Sequence, residues 1–119
     1  LRGRKSDLDF KKMKEYIISL RDSAKRDLEQ IESSIFNFSG SESEAKYVLR
    51  LILRGVQDLK NPYFLGLTPY SARISENGFY FYPIVGGSYL IYFQVDKIKK
   101  EKIIFYIKSA RTDYQNLIC

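Results

Sequence analysis

The sequence predicts an α+β fold of order β-α-α-β-β-β: one antiparallel-dominated sheet with a helical hairpin on one face. Three observations carry this. Residues 86–113 read GGSYLIYFQVD, KIKKEK and IIFYIKSARTD. Two runs rich in Tyr, Phe, Ile and Val, joined by a short lysine-rich turn, are the pattern of an antiparallel hairpin. Upstream, apolar residues recur at helical spacing in two consecutive segments. One short strand-like run precedes both helices, and everything upstream is arranged to cover the hairpin.

In chain order, residues 15–20 (EYIISL) form a strand candidate, and Arg21-Asp22-Ser23 breaks it. Asp22 or Ser23 is the expected cap of the first helix, over residues 24–37. Its apolar face is Ala24, Leu28, Ile31 and Ile35, and Lys25, Arg26, Asp27, Glu29 and Glu32 are assigned to the opposite face. Ser41 followed by Glu44 is a capping-box pattern for a second helix. Its stripe is Ala45, Val48, Ile52, Val56 and Leu59, widened by Leu49 and Leu53, and Asn61-Pro62 ends it. The short linker makes the two helices an antiparallel hairpin, and so wide a stripe needs the sheet as its partner. Residues 62–69 are a loop, 70–75 a short edge strand and 76–78 a turn. Residues 79–85 are a strand that Pro83 demotes to an edge or a bulge. Gly86-Gly87 then turns the chain into the hairpin. The unbroken run Ile103 to Ile107 is expected in mid-sheet, buried on both faces. Beyond Lys108, a short terminal strand or helix lands Leu117 and Ile118 on the core. The sheet face away from the helices is expected to be partly open and to carry function.

A chain of 119 residues is one domain with a real core. The only methionine, Met13, precedes KEYIISL, so residues 1–12 are read as an N-terminal extension, natural or introduced, and 13–119 as the domain. No apolar run approaches the roughly 18 residues that span a bilayer, and no secretory leader is visible, so a cytoplasmic protein without membrane attachment is expected. The single cysteine, Cys119, excludes an internal disulfide, and the lack of histidine argues against a transition-metal site. No metal and no cofactor are expected. A net charge of +6 points to an acidic or polyanionic partner.

From Met13 onward the chain resembles the RelE/ParE superfamily, the toxins of bacterial type II toxin–antitoxin modules. The resemblance rests on SAKRDLEQI (Ser23 to Ile31) opening the first helix, on LKNPYFLG (Leu59 to Gly66) closing the second, and on SYLIYFQVD (Ser88 to Asp96). The fourth match is the strand-and-tail IIFYIKSARTDYQNLI. It implies a growth-inhibiting toxin neutralised by a cognate antitoxin in a hetero-oligomer, through an amphipathic segment bound in a groove or as an added strand. ParE-like members poison DNA gyrase and are not enzymes; RelE-like members are ribosome-dependent mRNA endonucleases. The YLIYFQVD and ARTD segments lean towards the ParE branch, the mRNA endonuclease is the alternative, and a non-catalytic binding module of the same fold is a third reading. Departures are present on both sides. Tyr80 and Lys108 stand where ParE-like chains carry Arg and His, and Thr112 separates Arg111 from Asp113. The RelE-like basic residues of the second and third strands are missing.

Were the chain a nuclease, cleavage through a 2′-hydroxyl would need a base, an acid and cations around the phosphorane. Arg73, Lys108 and Arg111 are the candidate cations, and Tyr80, Tyr82 and Tyr114 the candidates for proton transfer or base stacking. A Tyr or Lys titrates near 10 and would need strong depression to act as a base. Tyr80 and Tyr82 alternate with Phe79 and Phe81, so one pair is expected on the core and the other in solvent, where packing is the ordinary role. Arg73 and Lys108 have an ordinary reading as solvated sheet-edge charges. Lys97, Lys99, Lys100 and Lys102 form the densest basic cluster. With Arg111 they are the candidates for binding target or phosphate, against a plain reading as a charged turn that blocks edge aggregation.

Overall fold

The computed structural model describes residues 15–62 and 79–110. It contains β1 (Ile17–Leu20), α1 (Asp22–Ser39), α2 (Glu42–Asp58), β2 (Tyr80–Ile84), β3 (Tyr89–Asp96) and β4 (Glu101–Ser109). The sheet order is β1-β4-β3-β2. β2–β3 and β3–β4 are antiparallel, and β1 pairs parallel with β4. The parallel pair follows from the topology, because two antiparallel helices between β1 and the meander return the chain to where it started. The α+β class, the element order and the helical hairpin on one face agree with expectation. The edge strand expected at 70–75, the turn at 76–78 and the terminal element beyond Ala110 lie outside the described residues.

Alternation along the strands places Ile84, Ile91, Phe93, Ile104 and Ile107 against Ala24, Ile52, Val56 and Leu59 of the helical layer. Gly55 lets α2 lie directly on β2: a Cβ there would stand 2.5 Å from Ile84 Cγ2. Ser41 caps α2 as expected, accepting from the Glu44 N–H at 3.1 Å. Gly40, at φ 70°, closes α1 with its N–H on the Phe36 carbonyl. Among the described residues Pro83 lies on an outermost strand of the sheet, where a missing N–H is tolerated. Val85, Gly86 and Gly87 all take positive φ in the β2–β3 turn.

Several expectations are corrected. Neither Asp22 nor Ser23 caps α1: Arg21 is the N-cap and makes no side-chain capping bond. Ser23 instead donates its Oγ–H to the carbonyl of Phe105. Leu53 is exposed, lying at the margin of the α2 stripe beyond the reach of the sheet. β4 is central but is not buried on both faces. Lys102, Ile104 and Ile107 are buried beneath the helices, while Ile103, Phe105 and Tyr106 are half-buried. A bulge between Tyr92 and Phe93 of the β3–β4 ladder, where Phe105 is the extra residue, shifts the alternation by one. The face away from the helices is not open at its centre either, since Phe81 is 9% and Tyr92 0% exposed.

The largest correction is Asp27, assigned to the solvent face of α1 but 6% exposed. β1 covers β4 only as far as Ile104, where the Arg21 N–H donates to the Ile104 carbonyl. Beyond that point the edge of β4 would be unpaired. Asp27 Oδ2 accepts from the Ile107 N–H at 3.0 Å, and Asp27 Oδ1 accepts from Lys108 Nζ at 2.7 Å. Ser23 and Asp27 lie one helical turn apart, so both reach the same strand edge.

Lys102 is the second unexpected burial. It is fully buried at the helix-side end of β4. Its Nζ donates to the Asn61 carbonyl at 3.0 Å and lies 5.0 Å from the centre of the Tyr16 ring. Burial pulls its pKa down to about 8.

Two stability tests follow. Asp27→Ala should cost about 2–4 kcal/mol in urea unfolding, because it strands a buried N–H and an ammonium together. Lys108→Met keeps the Ile107 bond but leaves the buried Asp27 carboxylate without its counter-charge, so it should cost about 3 kcal/mol as well. A loss below about 1 kcal/mol for Lys108→Met would assign the stabilisation to the strand edge rather than to the ion pair. For Lys102 the native pKa lies below the unfolded one, so between about pH 8 and 10.5 the unfolded chain holds the extra proton. The wild type should therefore gain stability relative to Lys102→Met as pH rises from 7 to 10; parallel pH profiles would contradict the burial cost.

Candidate functional site

The two β2 tyrosines face the helical layer, not solvent. Tyr80 stacks on Phe93 with ring centres 5.7 Å apart. Tyr82 donates its hydroxyl to Asp58 Oδ2 at 3.2 Å, tying β2 to the end of α2. Burial raises its pKa, and the charge of Asp58 and the hydrogen bond to it raise it further. That shift moves the phenol away from the range of a general base near neutral pH.

Lys108 is not a solvated edge charge. Its partner in β3 is Leu90, which places it on the face away from Ile107, and its Nζ reaches Asp27 at the strand edge. The same Nζ lies 5.9 Å from the centre of the Tyr106 ring. Beside this pair is a cleft of about 350 Å³ lined in part by Gln30, Ser34, Tyr89 and Ser109. Through the ladder, Lys108 is opposite Leu90, and Leu90 is opposite Pro83. Tyr82 projects from the other face two strands away, so the fold does not bring Tyr82 and Lys108 together.

Lys97, Lys99 and Lys100 form an exposed turn between β3 and β4. Asp96 Oδ1 holds the turn by accepting from the Ile98 and Lys99 N–H groups at 3.1 and 2.9 Å. Lys100 takes φ 56°. Lys102 does not belong to this exposed cluster. The register of β4 turns it under the helices because it is paired with Val95 on the core side. Tyr16 joins these lysines to the rest of the end face. Its N–H donates to the Lys60 carbonyl at 2.9 Å, the Ile17 N–H donates to the Lys100 carbonyl at 2.8 Å, and Lys100 Nζ stands 5.8 Å from its ring centre.

Arg73, Arg111 and Tyr114 lie outside the described residues. Among the described residues no group of three or more His, Cys, Asp or Glu side chains is placed to hold a metal ion, and no helix is long and apolar enough to cross a membrane. Of the described candidates, Tyr80, Tyr82, Lys102 and Lys108 are engaged in internal contacts at separate places, while Lys97, Lys99 and Lys100 are exposed. Asp27 and Tyr16 were missed by sequence reasoning. Asp27 had a usable signal: it lies four residues after Ser23, on the same side of the helix.

A model of the ParE toxin of the type II toxin–antitoxin system parDE matches residues 18–114. Among solved structures, the chain is similar to one described as the chromosomal ParDE toxin–antitoxin system from P. aeruginosa, with a TM-score of 0.66 and 18% identity. That likeness covers 79% of this chain and 95% of the other, and at this identity it speaks for the fold. No curated protein matches the chain. The family match spans the first strand, the helical hairpin and the meander whose geometry is given above, and the chain therefore belongs to the ParE toxin family of type II toxin–antitoxin systems.

Proposed function

We propose that this protein is a cytoplasmic growth inhibitor that acts on DNA gyrase and is neutralised by a cognate antitoxin in a toxin–antitoxin hetero-oligomer. The observation that carries this reading is the ParE family match over residues 18–114. The placement of the candidate nuclease groups supports it. Tyr80 is stacked, Tyr82 is hydrogen-bonded with a raised pKa, and Lys108 is paired with Asp27, so none of the three is set up to move a proton or hold a phosphorane. A poison that acts by binding needs an accessible surface rather than a reactive cluster. The basic turn Lys97, Lys99 and Lys100 provides one, and Arg111 is a further basic candidate within the matched span.

The test is to add the purified chain to gyrase and relaxed plasmid, and in parallel to induce it in bacteria while following DNA and protein synthesis. Inhibited supercoiling, DNA damage and filamentation, with translation intact at first and growth restored by the antitoxin, are the expected outcome. Translation stopping first, with cut mRNA and unimpaired gyrase, would overturn the reading in favour of the endonuclease; Arg111→Ala should then abolish toxicity while ribosome binding persists. Absence of growth arrest would leave a binding module of this fold.

A further inference from the structure

We propose that residues 111–119 of this chain fold back into a cleft beneath the tip of the helical hairpin, with Leu117 and Ile118 as the apolar occupants. The first observation is an overhang. Asp27 of α1 is bonded to Ile107 of β4, and further along the helix Ile31 and Ser34 line one cleft with Tyr89 and Ser109. From Asp27 the helix runs twelve residues more to Ser39, about 18 Å, whereas β4 runs only two more to Ser109, about 7 Å. The end of α1 and the start of α2 therefore project past the end of β4.

The second observation is the surface this projection presents. Ile35, Phe38 and Val48 of the two helices face Val85 and Tyr89 across a cleft of about 370 Å³. Phe38 is 95% exposed there, so five apolar side chains frame a surface suited to an apolar partner. The third observation selects that partner. Ala110 donates its N–H to the Ser88 carbonyl at 2.9 Å, and Ser88 and Tyr89 form one wall of the cleft. The chain therefore leaves β4 at the rim of the cleft. Residues 111–116 read RTDYQN and are followed by Leu117 and Ile118. Leu117 is seven residues beyond Ala110, a reach of up to about 23 Å, which is more than the projection of α1 demands. The order of polarity matches as well. The cleft beside Asp27 and Lys108 adjoins the apolar one through the shared residues Ser34 and Tyr89, so the polar stretch has a polar neighbour and the apolar pair an apolar one. An apolar pair tethered this close has a high effective concentration, against which a second copy or a separate chain must compete. The inference goes beyond the gyrase reading and does not rest on it: any partner that uses this cleft must first displace the segment.

The experiment exploits Cys119, the single cysteine, as the one attachment point for a nitroxide spin label on the full chain. The amide NMR signals of Ile35, Phe38 and Val48 should be lost in the labelled chain and return when the nitroxide is reduced. Those of Lys25 and Gln57 should persist, since each lies thirteen residues, about 20 Å, along its helix from Phe38 or Glu44 of the cleft. Leu117→Asp/Ile118→Asp should restore the cleft signals and leave the rest of the spectrum unchanged. A mixture of isotope-labelled chain without nitroxide and unlabelled chain with it should show no loss. Cleft signals that survive the label, equal loss at Lys25 and Gln57, or loss that persists in the double variant would each overturn the inference. Loss of cleft signals in the mixture would overturn it in favour of a second copy as the occupant.

Discussion

The strand edge of β4 beyond Ile104 is the constraint on which the arrangement of this protein depends. β4 is the long central strand, yet its parallel neighbour β1 is only four residues and stops at Leu20. An uncovered edge leaves backbone groups that must find partners or remain solvated, and it invites pairing with another chain. Here the first helix supplies the partners. Ser23 takes the Phe105 carbonyl and Asp27 takes the Ile107 N–H, so one face of α1 substitutes for the strand that is not there. Lys108 then neutralises the carboxylate that this role has drawn out of water. The helix is thereby held to the sheet by direction-dependent bonds as well as by apolar contact, which fixes the position of α1 along β4 and, through the tight linker, of α2 as well.

This arrangement has a direct consequence for function. Lys108, which by type and position invites a catalytic reading, is committed to holding the edge. Tyr82 is similarly committed to Asp58, and Tyr80 to Phe93. Among the described residues, the exposed lysines Lys97, Lys99 and Lys100 stand instead at the end of the molecule where the β3–β4 turn, Tyr16 and the exit of α2 meet.

Lys102 shows how narrow the margin is between a surface residue and a buried one. It stands two positions after Lys100 in a run that reads as uniformly solvated, yet strand alternation turns it beneath the helices. The Asn61 carbonyl and the Tyr16 ring face help to accommodate its ammonium, at the expense of a lowered pKa. The same alternation leaves Lys97, Lys99 and Lys100 outside only because the turn precedes the first residue of β4.

What the sequence determined by itself was whatever depends on local order: the two helices from the recurrence of Ala24, Leu28 and Ile31 and of Ala45, Ile52 and Val56, the cap at Ser41, the Gly86-Gly87 turn, the edge position of Pro83, and the pairing of the two aromatic runs. These follow from backbone preference and short-range periodicity, which a linear text records, and the family motifs are spread along the same elements. The tertiary structure alone decided which side of each element meets which neighbour. A bulge at Phe105 shifted the facing of β4, the early end of β1 gave Asp27 and Ser23 a buried task, and the register of Lys102 with Val95 removed one lysine from the surface cluster. Each of those outcomes turns on hydrogen-bond partners about eighty residues apart, or on a one-residue shift in a ladder, and no periodicity within a single segment encodes either.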